Sequence, residues 1–180
     1  MQRNRFLPFR QAAAMTTKTV LLAQYNAALD MLAQTIDACP DAIWFDDEAP
    51  NRFWQVAFHA LFYVHLYAQP TVEAFEPWEH YRLDYEMLGP PPWEPDKTLV
   101  FDQPYTKDEV LTYLAFCRNE LARQIGALDL DAPSGFHWLP FNKLELQIYN
   151  IRHIQQHVGE LSGRLLTAGI TINWVGTQPG

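Results

Sequence analysis

Two histidines stand four residues apart in "IRHIQQHVGEL", residues 151–161. On a helix that spacing puts Cβ atoms on one face about 5 to 6 Å apart, so His153 and His157 can turn their rings to a single ion. On a helical wheel both fall about 90 to 130° from the centre of the stripe Ile151, Ile154, Val158 and Leu161, at the edge of the core. The plain alternative is a polar helix flank, and a third ligand from another element has to decide between the two. Ile154 occupies the place after the first histidine where a zincin protease carries its general-base Glu, which argues against a metalloprotease.

The stretch "RFWQVAFHALFYVHLYAQ" offers two more imidazoles, His59 and His65. Gln55, His59 and Tyr63, spaced by four and joined by Arg52, form one narrow polar seam along an otherwise apolar helix, whereas His65 lies about 120° away. Polar groups inside a bundle need partners, so the seam reads as a cavity lining and His59 as the third ligand. His80, in "PWEHYR", and His137, in "SGFHWLPF", read as loop residues. Glu160, three places after His157, is either an acceptor behind the site or a surface charge. Three histidines leave coordination positions open, the mark of a catalytic rather than a closed structural site, and water or a thiol could enter there and become acidic near neutrality. Tyr63, Gln55 and Asn150 are candidates for groups that position a reactant.

These residues need elements to carry them. Helical periodicity runs over 17–36 through Leu21, Leu22, Tyr25, Leu29, Leu32 and Ile36, with Thr17 as a candidate N-cap. A second helix covers about 51–68 and ends at Pro70. A third starts at the capping box Thr106/Glu109 and continues to Ile125. A fourth covers about 143–168 and stops at Gly169. With no sustained strand alternation, the fold class is an all-α four-helix bundle. The connection from Pro70 to Pro104 is far longer than a usual helix–helix loop and holds Trp78, Tyr81, Tyr85, Trp93 and Phe101. It is expected to close over one end of the bundle, with a short helix near 78–87.

At 180 residues, 48% apolar and 14% aromatic, the chain has the size and composition of one folded domain. Residues 17–180 are assigned to it, and 1–16 to a flexible N-terminal extension. A net charge of −8 without a basic run gives no footprint for nucleic acid. The longest apolar run is too short for a membrane span of about 20 residues. Cys39 and Cys117, far apart and in no metal or redox spacing, read as buried free thiols in a reducing cytoplasm. No glycine-rich phosphate loop and no G-x-S-x-G elbow is present.

The segments "FWQVAFHALFYVHLYAQP", "GFHWLPFNKLELQIYNIRHIQQHVGELSGRL" and "INWVG" together resemble the DinB-like family, related to the YfiT-type metal-dependent hydrolases, over roughly residues 17–175. The resemblance implies an up-down-down-up four-helix bundle, often a homodimer. It also implies a divalent ion, zinc or nickel, held by one histidine of the second helix and two of the fourth, here His59, His153 and His157. Some relatives act with a low-molecular-weight thiol as transferases or isomerases. The expectation is therefore a cytoplasmic metal-dependent enzyme of the thiol-dependent S-transferase or hydrolase type, acting on a small molecule. The rivals are a metal-holding or stress-response protein without turnover, and a bundle whose role is dimerisation, with Gly159 and Gly163 letting helices approach.

Overall fold

The computed structural model describes residues 16–179, so the expected N-terminal extension lies, Thr16 excepted, outside the described residues. Thr16, and not Thr17, caps the first helix: its side chain accepts from the Thr19 N–H, and α1 runs Thr17–Ala38. A four-residue helix that the periodicity does not announce, α2 (Asp41–Trp44), follows Pro40 and buries Trp44, whose indole donates to Tyr105 O at 2.8 Å. The long elements after it are α3 (Phe53–Ala68), α4 (Lys107–Ala127) and α5 (Lys143–Thr167). Both halves of the Thr106/Glu109 capping box form at the start of α4. Asn142 caps α5, and Gly169, at φ +75°, ends it with Ile170 N–H bonded back to Leu165 O, a backbone turn that glycine enters without strain. Five helices and no strand are present among the described residues, so the chain is all-α.

α1 packs against α4 and α5, and α3 packs against the same two. One core joins them, with Tyr25, Leu29, Phe58, Leu61, Tyr113, Leu121, Ile154 and Leu161 almost wholly buried. Each such side chain contributes about 1.5 to 3 kcal/mol. The apolar stripes thus hold the helices together without help from the polar seam. Polar contacts tie the helix ends. Tyr25, early in α1, donates to Gln147 Oε1, early in α5, at 2.8 Å, and Lys18 Nζ reaches Gly126 O, late in α4, at 2.9 Å. The ammonium of Lys143, 2% exposed, donates to the carbonyls of Gln69, Pro70 and Ser134, joining the start of α5 to the end of α3. Gly135 makes that corner possible: at φ +84°, a Cβ there would lie 2.2 Å from Pro70 O.

The segment between α3 and α4 departs from expectation twice. Residues 78–87 form successive turns, not a short helix, with Asp84 at φ 69° and Lys97 Nζ 2.8 Å from its carboxylate. The one short helical turn is of the 3-10 kind, Val72–Ala74. Its aromatics also settle along the sides of α3 and α4 and not over one end. Trp78 stacks on Tyr113 at 4.6 Å, Phe75 meets Phe62 at 5.4 Å, and Tyr85 and Phe101 flank Trp54. Burying these rings one by one against two helices needs side chains at irregular spacing, which turns supply and a single helix face does not. Trp93 stays 76% exposed. No helix of the described residues is long and apolar enough to cross a membrane.

Candidate metal centre

α3 and α5 bring His59, His153 and His157 together. His153 and His157 share a face of α5 by their spacing of four, and His59 meets them from α3. His153 Nε2 stands 3.1 Å from His59 Nε2 and 3.2 Å from His157 Nε2. One ligand atom from each residue lies within 4.8 Å of the others, so the group could hold a metal ion. Bonds of about 2.0 to 2.1 Å at tetrahedral to octahedral angles separate ligand nitrogens by roughly 2.8 to 3.4 Å, and both measured gaps fall in that interval.

The atoms behind the rings bear on which nitrogens are free. His59 Nδ1 lies 2.5 Å from the Glu86 carbonyl, an acceptor only, so the ring proton sits on Nδ1 and the Nε2 lone pair is free. His157 Nδ1 donates to Glu160 Oε2 at 3.1 Å, which frees its Nε2 in the same way. Glu160 is held in turn by Arg164 at 2.6 Å, and Arg164 reaches Asn51 O. Glu160 is thus the acceptor behind the site, the first of its two sequence readings. His153 Nδ1 is buried without a partner. Two free Nε2 lone pairs in one cluster, each set by an outer acceptor on the other ring nitrogen, is the pattern of imidazoles that bind metal. Burial pushes the His59 pKa down to about 4. Burial, with His59 and His157 alongside, takes His153 to about 3. These two rings are therefore neutral and available as ligands at neutral pH.

The other candidates separate. Tyr63 belongs to the site, its ring centroid 4.9 Å from that of His59 and 5.3 Å from that of His153, and burial raises its pKa. Gln55 is buried, but its amide donates to Met87 O at 2.6 Å. Asn150 is wholly buried and neither amide atom has a partner. His65 points elsewhere, its Nδ1 3.1 Å from the Tyr113 hydroxyl. His80 and His137 are exposed beside Glu79 and Trp138, apart from the triad. Cys39 and Cys117 are buried free thiols, and desolvation raises both pKa values, Cys39 to about 12.

Glu86 is the residue the sequence does not flag. Its carbonyl orients His59 from 27 positions along the chain, and its carboxyl, 9% exposed, accepts from Tyr81 and has a pKa raised by burial. A backbone carbonyl carries no residue-type signal, so no motif could have found it. Comparison of the chain with family models, with curated proteins and with solved structures finds no match.

Proposed function

We propose that this chain is a divalent-metal-dependent enzyme with an open three-histidine site, of the thiol-dependent S-transferase or hydrolase type. The observation that carries the proposal is the convergence of three Nε2 atoms at 3.1 and 3.2 Å, with two of the rings fixed from behind by Glu86 O and Glu160. His59, His153 and His157 would hold the ion. Three imidazole ligands suit zinc or nickel. Such an ion would supply Lewis acidity to a water or a small thiol in an open position. The chain's own groups set the surroundings: Tyr63 keeps its phenolic proton at neutral pH and covers one side, and the Glu86 carboxyl, tied to Tyr81, offers a site for a proton.

The DinB-like assignment and its up-down-down-up order belong to the same proposal. In support, Tyr25 in the first half of α1 meets Gln147 near the start of α5, Lys18 joins the start of α1 to the end of α4, and Lys143 joins the start of α5 to the end of α3. Cytoplasmic location and a homodimer rest on the resemblance. A metal-holding protein without turnover is the second reading, and it draws support from cavities of about 610 and 720 Å³ that residues other than the three histidines line.

Metal analysis of freshly purified protein, followed by transfer assays with several small thiols and electrophiles, tests the proposal. Stoichiometric zinc or nickel with metal-dependent turnover is the expected result. Bound metal without turnover favours the second reading, and no metal overturns both.

A further inference from the structure

A cleft of about 610 Å³ lies on another face of α3, between the end of that helix, α4 and the segment 70–79. Its lining includes His65, Glu76, Trp78, Glu79, Phe116, Glu120 and Arg123. The volume is within the range of small-molecule sites, roughly 300 to 1,000 Å³.

His65 is the informative group because it is 2% exposed and yet lines this cleft. Its Nδ1 is 3.1 Å from the hydroxyl of Tyr113, a residue 1% exposed. The Cys117 sulfur also lies beside the Tyr113 hydroxyl. A buried phenol gives its proton to the stronger acceptor within reach, an imidazole nitrogen over a thiol sulfur, so Nδ1 accepts and the ring proton resides on Nε2. Nε2 has no hydrogen-bond partner among the described residues. Burial also holds the ring's pKa down to about 4, so at neutral pH His65 presents one N–H and no charge.

The rest of the cleft has the opposite character. Trp78, pinned by its stack on Tyr113, and half-buried Phe116 supply aromatic surface. Three carboxylates, Glu76, Glu79 and Glu120, face a single guanidinium, Arg123, which pairs with Glu120 at 2.6 Å. Among the described residues Glu79 pairs only with exposed His80, at 3.4 Å. The rim therefore carries an excess of negative charge above an N–H donor and aromatic walls.

We propose that this cleft binds a small aromatic amine that also carries an oxygen acceptor: the oxygen takes the His65 Nε2–H, the ring lies against Trp78 and Phe116, and the ammonium sits among Glu76, Glu79 and Glu120. An anion would be repelled by the rim. An amine without an oxygen would cover that N–H and leave it unpaired, the kind of loss by which a polar site rejects a near-analogue. The site is independent of the three-histidine centre.

The test is nuclear magnetic resonance titration of the full chain with L-phenylalaninamide, which has the ring, the ammonium and the carbonyl. The comparison compounds are N-acetyl-phenylalaninamide, which lacks the charge, and phenethylamine, which lacks the acceptor. Saturable shifts at the His65 ring and Phe116 are expected with the first compound, and binding weaker by roughly tenfold with each of the others. The double variant Glu76→Gln/Glu79→Gln, at two exposed positions, should weaken binding several-fold without lowering the melting temperature, and His59→Ala should leave it unchanged. No saturable shift, equal binding of the acetylated compound, or undiminished binding by the double variant would overturn the proposal.

Discussion

Glu160→Ala is the most searching perturbation of the candidate metal centre, because it leaves all three proposed ligands in place. In the native chain the carboxylate accepts the His157 Nδ1 proton at 3.1 Å and is anchored by Arg164 at 2.6 Å. Removing an acceptor behind a metal-bound imidazole costs roughly 10- to 100-fold in affinity, about 1.4 to 2.7 kcal/mol. His157 is only 5% exposed, so a water has little access to replace the carboxylate, and the upper half of that range is expected. Glu160→Gln keeps an oxygen acceptor and loses the charge, and should cost about half as much free energy. The assay is zinc competition against a chromogenic chelator at neutral pH, with circular dichroism as the control for helix content. Glu160 is partly exposed and outside the apolar stripes, so helicity should hold. Wild-type affinity in Glu160→Ala would refute the claim that Glu160 sets the free nitrogen of His157. Lost helicity would show that the residue serves the fold instead.

Further outcomes can be checked on the same protein. His59→Ala, His153→Ala and His157→Ala should each lose most bound metal at unchanged helicity, whereas His65→Ala should keep its metal and melt lower by about 1 to 3 kcal/mol, from the unpaired Tyr113 hydroxyl and the lost packing. Acid unfolding should carry the signature of His65: its folded pKa of about 4 lies below the roughly 6.5 of a free histidine, so the unfolded chain takes up the proton first. The stability concerned is fully present above about pH 6.5 and falls away toward pH 4, by at most about 3 kcal/mol, and His65→Gln should flatten that part of the pH–stability curve. Lys143→Met leaves the carbonyls of Gln69, Pro70 and Ser134 without the ammonium and should cost about 3 kcal/mol or more in urea unfolding; a loss under 1 kcal/mol would mean that water replaces it.

What the sequence disclosed follows from how local each signal is. The apolar stripes of the four long helices and the Thr106/Glu109 box are written in residues three or four apart, and they appear nearly as read. The seam through Gln55, His59 and Tyr63 is equally local, and it told His59 from His65. It did not tell Gln55 from the rest, because the Met87 carbonyl that takes its amide lies 32 positions away. The turns at 78–87 are not legible locally for a related reason: Trp78 and Tyr85 answer to rings on α3 and α4, and no neighbour in sequence announces them. In the sequence Lys143 marks only the start of a helix, since lysine is ordinarily a surface residue, and its burial depends on three carbonyls gathered from two other segments.

That lysine also acts as a gauge. It ties the first residue of α5 to Gln69, just past the end of α3, and from this tie the two helices run back along each other. His153 is ten residues beyond Lys143, and His59 ten residues before Gln69. At about 1.5 Å per residue both arms measure about 15 Å, so the imidazoles arrive at one level by equal counting from one knot. One residue inserted into either arm would lift its histidine by a single step and swing it about 100° around the helix. Loops that hold neither Glu86 nor the corner at Ser134 and Gly135 can lengthen or shorten at little cost to the centre, but these two ten-residue arms tolerate neither, and heritable length variation in this protein should stop at their borders.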